Sequence, residues 1–164
     1  MSSLSPNCKL RLLMSGTASS GQSIARSRLH VRRAHAADHA TILELTGALE
    51  LTYPAMDLPR FWVAELDGVT VGVAELKDLE SCSLLSCVGV REELQDRGIG
   101  RELVERVVRE ALHPVYLYTL VPDFFRKAGF RDPSALPPDL PPRAIYGCIG
   151  CDPSRCLCLM RPRS

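Results

Sequence analysis

Apolar positions recur along the 164-residue chain with two spacings, one typical of strands and one typical of helices. The stretch LHVRRAHAADHATILEL predicts a short strand at residues 29–32 and then a helix, with Asp38 as its N-cap. Ile42, Leu43 and Leu45 are spaced to share one face of that helix. The folded part of the chain is therefore predicted to begin with a strand and a helix.

Two alternating apolar stretches, FWVAEL and VTVGVAEL, flank Asp67-Gly68. An Asp-Gly pair in that position is a strong signal for an antiparallel hairpin. A third apolar run, SLLSCVGV, predicts another strand, and RELVERVVREAL then predicts an amphipathic helix. The apolar face of this helix comprises Leu103, Val104, Val107, Val108, Ala111 and Leu112.

The C-terminal third predicts a strand at VYLYT and a short helix at PDFFRKA, which starts at Pro122 and ends at Gly129. The stretch DPSALPPDLPPR is rich in proline and is predicted to be extended and exposed. RCLCLM alternates as a last strand would. Together the elements predict a mixed α/β fold with antiparallel hairpins, flanking helices and at least one parallel strand-helix-strand crossover.

Composition narrows the classes of function. The apolar and charged fractions, 46% and 24%, are ordinary for a single globular domain. A net charge of +1 provides no basic field for nucleic acid or an anionic membrane. No apolar run approaches the roughly 18 residues that a membrane-spanning helix needs. We expect a soluble, cytoplasmic protein that acts on a small molecule.

Residues 1–28 differ in composition from the rest, being rich in Ser, Gly and Ala, with no acidic residue before Asp38. Such a segment cannot bury enough apolar surface to fold alone. We expect a disordered leader or a start site placed too far upstream, with Met14 as another start, and an organelle transit peptide is the alternative. The folded domain is predicted to comprise residues 29–164.

The stretch LQDRGIG lies between a predicted strand and a predicted helix. Backbone N–H groups at such a turn, together with the helix dipole, can bind phosphate oxygens. Gly98 and Gly100 let the backbone approach a ligand closely, and Arg97 and Arg101 could donate charge-assisted hydrogen bonds to it. The motif by itself is weak evidence for anion binding, because many such turns are only turns.

The context of this turn resembles motif A of the GCN5-related N-acetyltransferase (GNAT) superfamily, in which a strand ending in Val-x-Val precedes Gln-x-x-Gly-x-Gly and a helix. FFRKAGF, at residues 124–130, resembles motif B of the same superfamily. The Asp67-Gly68 hairpin falls where the second and third strands would be. The resemblance runs from about Val31 to the C-terminus and implies the GNAT fold, with a splayed strand at an acetyl-CoA site.

The resemblance also implies which residues hold acetyl-CoA. Pantetheine would bind the splayed strand at Val88, Gly89 and Val90. Phe125 also belongs to this site and stands where many members carry a Tyr that protonates the departing thiolate, so that general acid is absent. A thiolate can leave without it, since nearby N–H groups stabilise the charge. The pyrophosphate would bind the backbone of Gln95, Asp96, Arg97, Gly98, Ile99, Gly100 and Arg101.

YTLVPDFFRKAGF, LPPRAIYGCIGC and CLCLM resemble short stand-alone N-acetylglutamate synthases and the amino-acid N-acetyltransferases associated with arsenic resistance. Both classes acetylate the α-amine of a small amino acid, and glutamate, an acceptor in arginine biosynthesis, is the leading expectation. An Arg-Ser pair usual in those families is replaced here by Ser86 and Cys87. An Arg would suit a substrate carboxylate. The basic residues that could replace it are Arg60, Lys77, Arg91, Arg126 and Lys127, of which Arg60 and Lys77 are preferred.

Acetyl transfer needs an amine that has lost its proton, so a base or a water chain is required. Glu75 is the leading candidate, because it shares strand parity with Val71 and Val73 and so lies on an apolar face. Burial there would raise its pKa to a useful value. His113, at a helix end, is the weaker candidate.

Four cysteines, Cys148, Cys151, Cys156 and Cys158, lie close together near the C-terminus. Cys-x-x-Cys is a zinc-ligand spacing, whereas Cys-x-Cys is not the usual one. Structural zinc, a disulfide and free buried thiols are all open, and free thiols are favoured. Cys87 is predicted to pack as a small hydrophobic residue.

The sequence is consistent with three functions. The first is an acetyl-CoA-dependent amino-acid N-acetyltransferase. The second is an acetyl-CoA-binding sensor or subunit with little activity, which the absent Tyr and the altered Arg-Ser pair favour. The third is a protein acetyltransferase, which would need an open acceptor groove. A homodimer is also an open expectation.

Overall fold

The computed structural model describes residues 28–147 and 154–163. These residues contain six strands and three α-helices. In chain order they are β1 (Leu29–Arg33), α1 (His39–Ala48), β2 (Phe61–Leu66), β3 (Val69–Asp78), β4 (Ser83–Val90), α2 (Ile99–Arg109), β5 (Val115–Thr119), α3 (Pro122–Lys127) and β6 (Leu157–Arg161).

The strands form one six-stranded sheet in the order β1-β2-β3-β4-β5-β6. Four of the five neighbouring pairs are antiparallel, and β4 and β5 are parallel because α2 connects them as a crossover. The predicted mixed, mostly antiparallel α/β fold is confirmed. Asp67 and Gly68 join β2 to β3 with φ of 51° and 81°, as a tight hairpin turn with two left-handed residues requires.

The sheet is covered on both faces. The larger apolar cluster includes Leu103, Val104 and Val107 of α2, which pack against the middle of the sheet. The smaller cluster includes Ile42 and Leu45 of α1 on the other face. A central sheet buried on both faces explains why all eight residues of β4 are buried.

Three details of the helices differ from the sequence-based expectations. Leu43 is 49% exposed and Leu112 is 57% exposed, so neither belongs to the buried face of its helix. Leu112 and Ala111 lie beyond the end of α2 at Arg109, although Ala111 is still buried. Asp38 occupies the N-cap position of α1, but its carboxylate binds the Arg32 guanidinium instead of capping that helix.

None of the helices in the described part of the chain is long and apolar enough to span a bilayer.

Candidate active site

The sheet opens between its two parallel strands. In the described residues β4 and β5 pair only at Ser83 with Val115 and at Leu84 with Tyr116. Beyond those pairs β4 continues to Val90, and a cavity that is partly open to solvent lies alongside. The cavity is lined by Leu85, Ser86, Cys87, Val88, Leu117, Tyr118, Phe125, Arg143, Tyr146 and Cys156.

A bulge in β4 lies at the wall of this cavity. Val73 pairs with Gly89 but Glu75 pairs with Ser86, so β4 contains one more residue than β3 at this point. Cys87 adopts a φ of 52°, which is unusual for a residue with a side chain. A bulge of this kind breaks the ladder and redirects the backbone. The following residues, which include the predicted pantetheine-binding ones, can therefore present N–H and C=O groups to a ligand.

The surroundings of the Cys87 thiol make it unreactive. Its thiol is buried and donates a hydrogen bond to the Leu51 carbonyl at 3.3 Å. Burial raises the pKa of this thiol well above its ordinary value. A thiol with a raised pKa is a poor nucleophile at neutral pH, as expected of a residue that packs as a small hydrophobic group.

The turn before α2 has the backbone conformation that the glycine motif predicts. Gly98 is the N-cap residue with a φ of 84°, and Asp96 has a φ of 65°. The Gln95 side chain donates to the Val90 carbonyl at 3.1 Å, which ties this turn to the end of β4. Gly100 is buried under the first turn of the helix. The N-terminus of α2 and the splayed part of β4 are thus held together as one continuous surface.

We expect Gly98→Ala to destabilise the protein by about 1 kcal/mol or more, since a Cβ in left-handed backbone is strained. It should also weaken acetyl-CoA binding. Gly47→Ala is the matched control: Gly47 lies in α1 with open space around it, and alanine there should stabilise by about 0.5–1 kcal/mol. Urea denaturation measures both changes. A Gly98→Ala protein as stable as the parent would contradict the prediction.

Glu75 is fully buried beside the bulge. It accepts a hydrogen bond from the Tyr53 hydroxyl, and its other oxygen accepts one from the Asp57 backbone N–H at 2.7 Å. The Lys77 ammonium lies 3.8 Å from the carboxylate and donates to the Tyr53 hydroxyl at 2.9 Å. Burial raises the pKa of Glu75, and its hydrogen bonds and Lys77 oppose that shift.

Glu75 does not line the cavity. Tyr53 lies in front of it, with its ring 4.8 Å from the ring of Tyr146, a cavity-lining residue. The Tyr146 hydroxyl shares a hydrogen bond with Ser86 on β4.

Val73 lies in the same apolar cluster as Tyr53, whereas a bulge beside Val71 places that residue in the other cluster. The parity expected between Glu75 and Val71 is therefore wrong.

The other predicted polar candidates lie outside the cavity. Lys77 donates to Tyr53 and to the Ala55 carbonyl. Arg60 is exposed, has Asp57 at 3.6 Å, and lines a separate polar depression. His113 is half-buried after α2, and its backbone N–H donates to Ser83. Their roles in substrate binding or catalysis stay predictions.

Phe125 lines the cavity from α3 and is only 1% exposed. Its ring makes edge-to-face contacts with Phe124 and Phe130, at centroid distances of 4.9 and 5.6 Å. Phe125 is thus a core aromatic whose edge also reaches the cavity. An aromatic ring without a hydroxyl adds no proton donor to this wall.

The C-terminal cysteines are only partly described. Cys156 is buried, Cys158 is half-buried, and burial raises the pKa of both thiols, to about 11 for Cys158. Among the residues whose positions are described, there is no group of three or more side chains suited to a metal ion. Cys148 and Cys151 lie outside the described residues, so the zinc hypothesis remains untested.

Sequence reasoning missed the aromatic and basic residues that form the rest of this site. Tyr53 belongs to a loop, and Arg143 and Tyr146 belong to a short 3-10 turn, Arg143–Tyr146, after the proline-rich segment. Tyr118 is on β5, and its hydroxyl donates to the Pro141 carbonyl at 2.7 Å. No local pattern marks these residues, because only the fold brings them to one cavity.

An open mixed sheet, a bulged strand that splays from its parallel neighbour and a glycine turn into the next helix define the GNAT fold. Residues 57–132 match the family model for the acetyltransferase (GNAT) domain. This match covers residues 57–132, somewhat less than half of the chain, and it confirms the resemblance seen in the motifs. No curated protein sequence matches the chain.

Solved structures share the fold. N-acetylglutamate synthase from Neisseria gonorrhoeae, complexed with coenzyme A and N-acetyl-glutamate, superposes with a TM-score of 0.67 at 24% identity over 83% of this chain. The match covers only 35% of that synthase, so this chain spans about a third of its length. Rv2747 from Mycobacterium tuberculosis, in complex with CoA, superposes with a TM-score of 0.64 at 20% identity over 82% of this chain and 99% of that one.

A protein of another type is similar as well. Arabidopsis thaliana Naa50, in complex with the bisubstrate analogue CoA-Ac-MVNAL, gives a TM-score of 0.61 at 16% identity. That match covers 82% of this chain and 98% of Naa50. At these identities the likeness establishes the fold alone.

Proposed function

We propose that the protein is an acetyl-CoA-dependent N-acetyltransferase that acts on the α-amine of a small amino acid, with L-glutamate as the leading acceptor. The observation that carries the proposal is the cavity between the splayed strands, which adjoins the bulge of β4. The gonococcal synthase, solved with N-acetyl-glutamate, supports this acceptor class.

The residues present fit acetyl-CoA. Backbone groups of Val88, Gly89 and Val90 would bind pantetheine, and the N–H groups from Gln95 to Arg101 would bind the pyrophosphate. A Cβ on Gly89 would come within 2.6 Å of a Leu51 methyl and 2.8 Å of a Leu49 methyl, so a side chain at this part of β4 would require these leucines to move. Bound acetyl-CoA would supply the activated acetyl thioester.

The transfer itself moves one acetyl group. The neutral amine nitrogen attacks the thioester carbonyl carbon and forms the C–N bond. The C–S bond breaks, and sulfur leaves with the bonding electron pair. The nitrogen gives up a proton to a base, and the thiolate takes one from solvent or from a nearby hydroxyl.

Glu75 is the proposed base, and it would act through Tyr53. Its carboxylate already accepts the Tyr53 hydroxyl proton in a hydrogen bond, and Tyr53 contacts the cavity wall at Tyr146. In this proposal the proton that leaves the amine passes to Glu75 by way of the Tyr53 hydroxyl. The raised pKa of Glu75 favours its taking up that proton.

Two other functions remain as alternatives. The likeness to Naa50 favours a peptide or protein acceptor, for which the polar depression lined by Arg33, Asp57, Arg60 and Asp78 could bind a chain. The absence of a Tyr at Phe125 favours an acetyl-CoA-binding sensor. The arsenic-resistance type of amino-acid acetyltransferase differs from the main proposal only in its acceptor.

The test is the release of free thiol from acetyl-CoA by the purified full-length chain, with glutamate, the other common amino acids, a glutamate-like herbicidal analogue and a peptide amine as acceptors. Saturable turnover with glutamate is the expected result. Turnover with the herbicidal analogue alone would move the assignment to the arsenic-resistance type. Turnover with the peptide alone would replace the proposal by protein acetylation. Acetyl-CoA binding without any turnover would support the sensor.

A further inference from the structure

One cationic side chain lies in the wall of the cavity, and its guanidinium makes one hydrogen bond to the described residues. The guanidinium carbon of Arg143 lies 5.2 Å from the centroid of the Tyr118 ring. One terminal nitrogen, Nη2, donates to the Cys156 carbonyl at 2.9 Å. The Nε atom is buried and has no hydrogen-bond partner in the described structure.

A buried donor without a partner is rare in a folded protein, and it is especially unfavourable on a charged group. Among the described side chains it is the single buried nitrogen or oxygen atom in this state. An Arg has five N–H donors in a planar fork that matches a carboxylate. Arg143 therefore lacks a planar anionic partner on its Nε side.

The cavity contains no such partner of its own. Its described lining includes no Asp or Glu, and its polar groups besides Arg143 are the hydroxyls of Ser86, Tyr118 and Tyr146 and two thiols. The remaining lining is apolar. A cation in such a wall attracts an anion more strongly than it would in water, because the surrounding dielectric constant is low.

The segment that carries Arg143 is held in place. Two prolines, Pro141 and Pro142, precede it, and the Pro141 carbonyl accepts the Tyr118 hydroxyl. The bond from Arg143 to Cys156 links the same segment to the start of β6. A guanidinium fixed in this way has less freedom to lose when a ligand binds.

We infer that Arg143 is the receptor for the carboxylate of the acceptor, and that the cavity selects small amines that carry a carboxylate group. This inference rests on the proposed acetyltransferase function. It transfers the carboxylate-binding role from Arg60 and Lys77, which lie outside the cavity, to a residue inside it. The carboxylate oxygens would accept from N–H groups of this guanidinium that have no partner among the described residues.

The test compares the full-length protein with Arg143→Gln, Arg143→Lys and Arg106→Gln. Arg106 is an exposed arginine of α2 paired with Glu110, and its variant is the matched control. The dissociation constant of L-glutamate is measured by calorimetry without acetyl-CoA, and the KM of each substrate is measured in the thiol-release assay. Thermal unfolding of each variant shows whether it is folded.

For Arg143→Gln we expect the dissociation constant and the KM of glutamate to rise by about 10- to 100-fold, from the loss of a paired, charge-assisted contact. The KM of acetyl-CoA should change less than about twofold. For Arg143→Lys, both values for glutamate should lie between those of the parent and those of Arg143→Gln, since an ammonium keeps the charge but not the planar fork of donors. A folded Arg143→Gln protein with unchanged glutamate binding would overturn the inference.

A second measurement needs no variant and tests the inference even if Arg143→Gln fails to fold. The parent protein is assayed with glutamate, its γ-amide glutamine, its α-amide, and an amine that has no carboxylate. Strong preference for carboxylate-bearing acceptors is expected. Equal turnover of the amine without a carboxylate would overturn the inference while leaving the acetyltransferase function intact. No turnover with any acceptor would overturn the proposed function, and glutamate binding would then test Arg143 separately.

Discussion

Replacing Glu75 by glutamine is expected to lower kcat by about 10²- to 10⁴-fold, the range typical of a lost general base. Glutamine has nearly the same shape and can still accept the Tyr53 hydroxyl, so the chain should remain folded. Its amide nitrogen cannot accept from the Asp57 N–H, and that mismatch should cost about 1–3 kcal/mol of stability. Steady-state kinetics and urea denaturation measure the two effects independently.

The same variant should change the dependence of stability on pH. Burial raises the pKa of Glu75 above its ordinary value of 4.5, so the folded state binds a proton that the unfolded state has released. This contribution to stability is fully present below pH 4.5 and is lost as pH rises through the higher folded pKa. Glu75→Gln should remove that loss, because glutamine does not titrate. Activity of the parent should instead rise with pH over the same interval.

Glu44→Gln is the matched control, since Glu44 is exposed on α1. It should leave kcat unchanged and alter stability by no more than about 0.5 kcal/mol. Tyr53→Phe keeps the ring against Tyr146 but removes the hydroxyl, so it should lower kcat if the proton passes through Tyr53. Full activity of a folded Glu75→Gln protein would show that Glu75 is a structural carboxylate and not the base.

Replacing Phe125 by alanine is expected to destabilise the protein by about 3–5 kcal/mol, the usual cost of removing a buried aromatic ring. The ring is almost fully buried and packs edge-to-face on Phe124 and Phe130. Phe125→Leu fills most of the space and should cost less than about 1.5 kcal/mol. Leu136→Ala, at an exposed position, should change stability by no more than about 0.5 kcal/mol.

Equilibrium unfolding in urea compares these three proteins, and acetyl-CoA affinity is measured on each one that is folded. The expected pattern is a large loss of stability for alanine and a small one for leucine. If Phe125→Ala lost little stability but bound acetyl-CoA poorly, Phe125 would be a cofactor-binding residue first and a core residue second.

Interactions between residues that are close in the chain explain which features of the fold could be predicted from the sequence. The hairpin at Asp67-Gly68 follows from two residues that tolerate left-handed backbone, and Gly129 ends α3 with a φ of 88° for the same reason. The glycine turn before α2 was recognisable because its spacing and the strand and helix patterns on either side of it together form the signal. In each case the governing interaction lies within a few residues of the chain.

The predictions that were wrong concern burial that depends on residues distant in the chain. Leu43 has the right spacing for the buried face of α1, yet nothing packs over it sufficiently to bury it. The bulge beside Val71 shifts strand parity, and a sequence pattern does not reveal an extra residue in a ladder. Periodicity predicts which residues share a face only while the element stays regular.

The sequence by itself determined the order of elements, the hairpin, the glycine turn and the resemblance to GNAT motifs, since all of these depend on neighbouring residues. Only the tertiary structure decided which side chains meet at the cavity. Ser86 and Tyr146 are 60 positions apart in the chain and share a hydrogen bond, while Arg143 reaches the carbonyl of Cys156. The splaying of β4 from β5 opens the space between them, and long-range packing of the sheet sets that opening.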